Sequence, residues 1–321
     1  ELCIADDGST DPLTLEFLAT LSDDERIKTS FLDHSQGISS ASNAALASAN
    51  GEFVMLLDHD DVLDSRALFE VAKLLQDFPE LDFIYSDEDK IDERDQYCYP
   101  TLKPAFSPKL LESINYVTHL STYRKDLVDK VGGFRTRYDG AQDYDLVLRV
   151  LEMTSRVAHI PNPLYSWRMI PGSTATTNDA KASASDHGLD ALSDSFARRG
   201  ITATVVKSGF GAGYSSRRIR HEKKSLSVVI PTRDGYEILV RAVDSVHAEI
   251  RLLNNVDARV IVVDNESTDP KTLEYLASMD GEVLRYPFPF NFSAINNAAV
   301  AKFPAEYSMF LNNDVETNEP G

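Results

Sequence analysis

The chain has 321 residues, 42% of them hydrophobic and 26% charged, a balance that supports a sizeable core in one or two domains and excludes a disordered or low-complexity protein. Its formal charge of −19 excludes nucleic acid or an anionic membrane surface as the main partner, although a local basic pocket remains compatible with it. Two cysteines, Cys3 and Cys98, are too few for a disulfide framework or a thiolate metal site and point to a reducing cytosol, and no apolar run approaches the roughly 20 residues of a membrane-spanning helix.

In chain order, Glu1-Leu2-Cys3-Ile4-Ala5 reads as a strand with no turn before it, so the start is expected to be a cut inside a longer protein. Asp6-Asp7-Gly8-Ser9 is a tight turn, and Asp11-Pro12 starts a helix with Leu13, Phe17, Leu18 and Leu21 on one face. Such a turn can present a carboxylate to a base or ribose, or can simply cap the helix. Phe31 to His34 is expected as a short strand, followed by a turn at Gln36-Gly37-Ile38 and a helix of small residues from Ser39 to Ala49. Asn43 inside that helix is mildly unfavourable there and is expected to bond a neighbouring loop or a ligand.

Phe53-Val54-Met55-Leu56-Leu57 predicts a strand buried on both faces that ends in Asp58-His59-Asp60-Asp61. In open α/β sheets ligands collect at the carboxyl ends of strands, and hard Mg²⁺ or Mn²⁺ is commonly held there by one or two carboxylates plus substrate phosphates. Asp58 and Asp60, two apart, leave an extended backbone on one side and can converge on one ion. A solvated acidic turn before the next helix would look similar. An EF-hand loop counted from Asp58 fails, because Val62 and Leu63 fall where an oxygen ligand and a glycine belong.

Ser65 to Leu75 is an amphipathic helix, and Phe83-Ile84-Tyr85 a short strand running into a second acidic end, Ser86 to Lys90, that could line the same pocket or form a surface loop. Tyr97 to Pro108 is expected as an irregular loop, and a helix from Lys125 to Val131 is stopped by Gly132-Gly133. Asp143 opens a helix whose apolar side is Leu146, Val147, Val150 and Leu151; it can serve as an N-cap or as a general base held in direction by the helix start. Val157 to Pro161 reads as a strand, Leu164 to Arg168 as a segment with the only tryptophan, and Gly172 to Thr176 as a loop flexible enough to close over phosphates. A helix from Lys181 to Arg199 and a strand from Ala203 to Lys207 follow.

One long-range repeat organises the whole. Ile4 to Ala19 returns as Val262 to Ala277, with Asp6-Asp7-Gly8-Ser9-Thr10-Asp11-Pro12 matched by Asp264-Asn265-Glu266-Ser267-Thr268-Asp269-Pro270. Asn43-Ala44-Ala45 returns as Asn297-Ala298-Ala299, and Met55 to Asp60 as Met309 to Asp314. The period is the length of a domain, so two tandem copies of one fold are expected. The expected division is residues 1–215, a basic linker at 216–225, and 226–321. The strand Ser227 to Thr232 and the helix from Tyr236 have no counterpart before Glu1, so both copies are expected to be incomplete, and the first to aggregate or to borrow Ser227 to Pro231 as a substitute strand.

These motifs together resemble the family-2 glycosyltransferases of the GT-A fold, in particular tandem bacterial enzymes of surface-polysaccharide and O-antigen synthesis. The residues that carry the resemblance are Asp6 to Ser9, Asn43, the DxD motif Asp58-His59-Asp60, Gln142-Asp143 and Ser227 to Thr232. It implies a Rossmann-like, mostly parallel mixed sheet flanked by helices, and an inverting transfer from a nucleotide-diphosphate sugar to a hydroxyl of a glycan or lipid-linked glycan. Asp6, Asp7, Asn43 and Asp58 would contact the donor, Asp58 and Asp60 would hold Mg²⁺ or Mn²⁺, and Asp143 would be the base. His119, Gln142, Trp167 and Arg168 would meet acceptor or diphosphate, and Thr232, Asp264, Asn312 and Asp314 would be the second copy's donor contacts. The implied setting is the cytoplasm or the inner face of the membrane, with peripheral association. The chain departs from the pattern at Ser42, where an arginine is common, and at Met169-Ile170-Pro171, which lacks a metal-binding histidine. A binding module without turnover is the alternative; a nucleotidyltransferase ranks lower, because Thr232-Arg233-Asp234-Gly235 has a single glycine.

Overall fold

The computed structural model describes residues 1–169, 178–209, 213–219 and 222–317. The chain divides into two compact α/β units, Glu1–Ile219 and Arg220–Gly321.

In unit 1, β1 (Leu2–Asp6) and β2 (Ile27–Phe31) form a parallel pair joined by α1 (Pro12–Thr20). The Asp11 carboxylate caps α1 by accepting the Thr14 N–H at 3.0 Å, and Pro12 sits in the first turn, where a missing N–H costs nothing. The chain continues through α2 (Ile38–Ser48), β3 (Phe53–Met55), β4 (Val62–Leu63), α3 (Ala67–Asp77), β5 (Phe83–Ile91), β6 (Tyr97–Thr101), α4 (Pro108–Leu111) and β7 (Ser121–Arg124). It then forms α5 (Lys125–Lys130), α6 (Gln142–Leu151), β8 (Val157–Arg168), α7 (Asn178–Arg198), β9 (Ala203–Lys207) and β10 (Tyr214–Arg218).

The six-stranded sheet runs β3-β7-β5-β8-β4, with β6 also on β5. β5 is its axis, and alternation along it sorts the core. Phe83 and Tyr85 point into one cluster with Leu146 and Val150 of α6 and Leu192 and Phe196 of α7. Ile84, between them, joins Ala67, Val71 and Leu164 in the other. Each such fully buried side chain stabilises the fold by about 1.5–3 kcal/mol relative to exposure.

Unit 2 comprises β11 (Lys224–Thr232), α8 (Tyr236–Ile250), β12 (Val256–Asp264), α9 (Pro270–Ser278), β13 (Glu282–Arg285), α10 (Phe292–Lys302) and β14 (Tyr307–Phe310). Its four strands are parallel in the order β13-β12-β11-β14. The parallel preference expected from the sequence holds in this sheet; in the six-stranded sheet only β5 with β8 is parallel, and the other pairings are antiparallel.

Several expectations change. The strand placed at Phe31 to His34 lies at Ile27–Phe31, because its register with β1 runs from Leu2 opposite Ile27 to Asp6 opposite Phe31. β3 has three half-buried residues instead of five buried ones, being paired only with β7. β5 extends to Ile91, so the second acidic end is sheet and not a surface loop, and β6 occupies part of the expected loop. β8 joins two predicted segments across Pro161 and Pro163 by shifting register against β5. Arg217 and Arg218, expected in a linker, belong to β10, where the Arg218 guanidinium donates to Glu112 at 2.8 Å. Gly172 to Thr176 lies outside the described residues.

β11 sits between β12 and β14, and so is not lent to unit 1. The unit 1 strands that match those neighbours in sequence, β1 and β3, lie in separate sheets. Leu2, Leu13 and Phe17 are 45%, 74% and 62% exposed, and only Leu18 of the predicted α1 face is buried.

Candidate functional site

The turn from β3 to β4 carries Asp58, Asp60 and Asp61, and the segment entering β7 carries His119. One ligand atom each from Asp58, Asp61 and His119 lies within 4.8 Å of the other two. Tyr165 of β8 touches all three residues. Its hydroxyl donates to Asp61 Oδ2 at 2.5 Å, accepts the Asp58 N–H at 3.2 Å, and its ring stacks on the His119 imidazole at 4.4 Å and 13°. The Arg168 N–H donates to Asp61 Oδ1 at 2.8 Å, while its guanidinium turns to the Asp60 carbonyl at 3.0 Å and the Asp95 carboxylate at 2.7 Å. Trp167 lies under the Lys90 ammonium, 4.9 Å from ring centroid to nitrogen, and 6.3 Å from the His119 ring.

Burial pushes the Asp61 carboxyl above the usual range; Tyr165 and the Arg168 N–H oppose this, and Asp58 and Asp60 add to it. Acids crowded in this way attract a cation. The donor set fits one: two carboxylates and an imidazole suit a first-row divalent ion. With bonds of about 2.1 Å, no two ligands of one ion stand more than about 4.2 Å apart and adjacent ones stand about 3 Å apart, so these side chains would draw in to close on it.

Asp143 lies in the first turn of α6, and the N-cap position is Ala141. Its Oδ2 accepts the Asn115 Nδ2–H at 2.8 Å. Burial raises Asp143 above the usual carboxylate range; His119 opposes the shift and Asp58 reinforces it, which places Asp143 in the same electrostatic field as the acid turn. α6 is anchored from behind. Buried Asp145 accepts Arg149 Nη2–H at 2.6 Å and binds the Arg135 guanidinium, and Arg149 also donates to the Val131 and Gly133 carbonyls at 2.7 Å each.

The other predicted residues separate by what their polar atoms do. Asp6 Oδ2 accepts the Ser9 N–H at 3.0 Å. Asp7 closes on the loop before α2, accepting from Gln36 N at 2.7 Å, Gly37 N at 3.0 Å and Ser35 Oγ at 2.8 Å. Asn43 bonds a neighbouring loop with both ends of its amide, to Phe134 O at 2.9 Å and Phe134 N at 2.8 Å. Gly133 permits this approach: its φ is +66°, and a Cβ there would meet Asn43 Oδ1 at 2.5 Å. Gln142 accepts the Gly140 N–H at 2.7 Å. Asp60 stands outside the three-ligand group. In unit 2, Asp264 is buried, accepts the Ser267 N–H at 2.9 Å and pairs with Arg285; Asn312 and Asp314 are exposed, and Asn313 is the residue that donates to Thr232 Oγ1, at 3.1 Å.

Asp61, Tyr165 and Asn115 were not singled out from sequence. Tyr165 carried one usable signal: in a strand it shares a face with Trp167.

Among known proteins, the model of the family described as Glycosyl transferase family 2 matches residues 1–134 and 227–320. The uncharacterized protein y4gI of Sinorhizobium fredii is 40% identical over 100% of this chain and 36% of its own length. The O-antigen biosynthesis protein RfbC of Myxococcus xanthus is 35% identical over 100% of this chain and 25% of its own length. The chain thus spans about a quarter to a third of these relatives. Among solved structures, the Staphylococcus aureus TarS fragment 1–349 in complex with UDP is similar over 60% of this chain and 61% of that one, at 18% identity and a TM-score of 0.43.

Proposed function

Because this chain belongs to glycosyl transferase family 2, we propose that unit 1 moves a sugar from a nucleotide-diphosphate donor to a hydroxyl of a growing surface glycan, with inversion at the transferred carbon. The observation that carries this reading is the pairing of an acid turn with Asp143, a half-buried carboxylate that senses both Asp58 and His119 and is held by Asn115.

Asp143 takes the proton from the attacking hydroxyl, and its raised proton affinity makes it a better base than a surface aspartate. Asn115 fixes the direction of its carboxylate. One carboxylate facing the donor suffices for a single in-line displacement, which is what inversion requires. Asp58, Asp61 and His119 would hold Mg²⁺ or Mn²⁺, with Asp60 adding charge from the same turn. When bound, that ion neutralises the charge that develops on the departing diphosphate. Asp6 and Asp7 shape the nucleoside side of the pocket through the turn and the loop they bind, and Asn43 supports that side indirectly through Phe134. Trp167, Arg168 and Gln142 are read as contacts to acceptor or diphosphate.

The acceptor is a glycan or lipid-linked glycan, met in the cytoplasm or peripherally at the inner face of the membrane. The similarity to a protein named for O-antigen biosynthesis supports this class. Among the described residues no helix is long and apolar enough to cross a membrane. The two units are read as tandem copies of one fold. Asp6 with Ser9 and Asp11 with Thr14 form the same turn and cap as Asp264 with Ser267 and Asp269 with Thr272, which supports that reading.

Incubating the chain with a panel of nucleotide sugars, Mn²⁺ and a glycan acceptor tests the proposal. Release of nucleoside diphosphate should depend on acceptor and fall by about 10²–10⁴ in Asp143→Asn. Unchanged turnover in that variant would overturn the assignment.

A further inference from the structure

We propose that Lys103 and Glu88 are a buried positioning pair that sets where His119 stands beside Asp58 and Asp61, and so how tightly this site holds a divalent ion. The inference rests on the divalent-ion reading above and adds two residues that meet the donor set through the His119 backbone alone, and not at a ligand atom.

The Lys103 side chain is 1% exposed and that of Glu88 12%, and their charged atoms meet at 3.0 Å. Lys103 Nζ also donates to the Val117 carbonyl at 3.0 Å, to Thr118 Oγ1 at 3.3 Å and to the His119 carbonyl. Glu88 Oε2 accepts from Thr118 Oγ1 at 2.8 Å and from the His119 N–H at 3.3 Å. One ammonium and one carboxylate therefore bind three consecutive residues and grip the His119 backbone through both its N–H and its C=O. Lys103 is itself tied down: its N–H donates to Asp87 Oδ1 at 2.8 Å, and that oxygen also meets His159 Nε2 at 2.7 Å.

Charge attraction alone does not explain the pair, since a buried ion pair gives up hydration that its attraction barely returns. What an apolar pair cannot do is fix several acceptors along Val117-Thr118-His119 at once. The His119 ring is fixed on its other side by the Tyr165 stack. With backbone and ring both constrained, the imidazole is presented to Asp58 and Asp61 without a search through rotamers.

The test is Mn²⁺ affinity of the full chain, read by the electron-paramagnetic-resonance signal of free Mn²⁺, with circular dichroism to confirm folding. Lys103→Met should weaken Mn²⁺ binding by about tenfold or more, the usual range for residues that orient a ligand. The charge-neutral Glu88→Gln/Lys103→Met double variant leaves no stranded charge and should show the same loss, so a folding failure of the single variant does not decide the matter. In a His119→Ala background, adding Lys103→Met should change the affinity by less than about twofold, because the ligand it positions is gone. Wild-type affinity in the folded double variant, or an equal loss in both backgrounds, would overturn the inference while leaving the ion site intact. Mn²⁺ binding that is absent, or unaffected by Asp58→Ala, would overturn the ion-site reading and this inference with it.

Discussion

At the scale of single residues, Tyr165 governs what the acid turn can do. Its hydroxyl lowers the proton affinity of Asp61, against the burial that raises it. Tyr165→Phe keeps the ring on His119 but removes that donor, so a proton competes better with a cation for Asp61. Mn²⁺ affinity should fall by about tenfold, the value of a charge-assisted hydrogen bond of ~1.4 kcal/mol, and fall further at pH 6 than at pH 8. Titration at the two pH values checks this. Asp143 gives a stability prediction of definite sign. Its folded proton affinity lies above the ordinary aspartate value of 3.8, so between the unfolded and folded pKa values the native state holds more protons, and stability falls as pH rises through that window. Above it the penalty is complete. Asp143→Asn should therefore raise Tm at pH 7 and change it little at pH 3, as thermal melts at both values would show. Asp58 and Asp143 were legible from the sequence because each sits at an element end, one after an apolar run and one opening an amphipathic helix. Asp61 and His119 were not paired there, since only tertiary structure brings residue 119 to the 58–61 turn.

At the scale of elements, α6 shows how a site is carried by what lies behind it. The apolar period of Leu146, Val147, Val150 and Leu151 predicted the helix and its buried face. What that pattern did not reveal is that Asp145 and Arg149 are buried with it and tie its first turn to the Val131 and Gly133 carbonyls. Asp145→Ala would strand Arg149 without its partner, at a cost of about 3–5 kcal/mol, and should depress activity by releasing the turn that holds Asp143. Urea denaturation alongside the transfer assay measures both effects. The strands were read less well than the helices. Among the described residues β3, shorter than its apolar run, pairs with β7 alone, and β5 is longer than its run because Asp87 and Glu88 bond Lys103 and Lys90 lies over Trp167 of β8. Hydrophobic pattern marks faces that bury apolar surface; it cannot mark a strand whose buried residues are charged and paired.

At the scale of the whole molecule, the repeat between Asp6 and Asp264 was the most informative feature of the sequence, and the matching turns in the two units bear out its local meaning. The units differ in what surrounds those turns. In unit 2, β12 and β14 flank β11; in unit 1 their matches β1 and β3 lie in separate sheets, and Leu2, Leu13 and Phe17 are exposed. A charge of −19 sets an electrostatic problem for the proposed transfer, because a nucleotide-diphosphate donor would arrive negative at a surface already acidic. On the proposed reading, a cation at the acid turn would offset that repulsion, and Asp58 and Asp143 should then act as one site. The most direct measurement is donor-dependent release of nucleoside diphosphate, with Mn²⁺ present, in Asp58→Ala, Asp143→Asn and the double variant. If the two residues serve one transfer, the double variant loses no more activity than the worse single variant; losses that multiply would show the two carboxylates acting independently of one another and contradict the account.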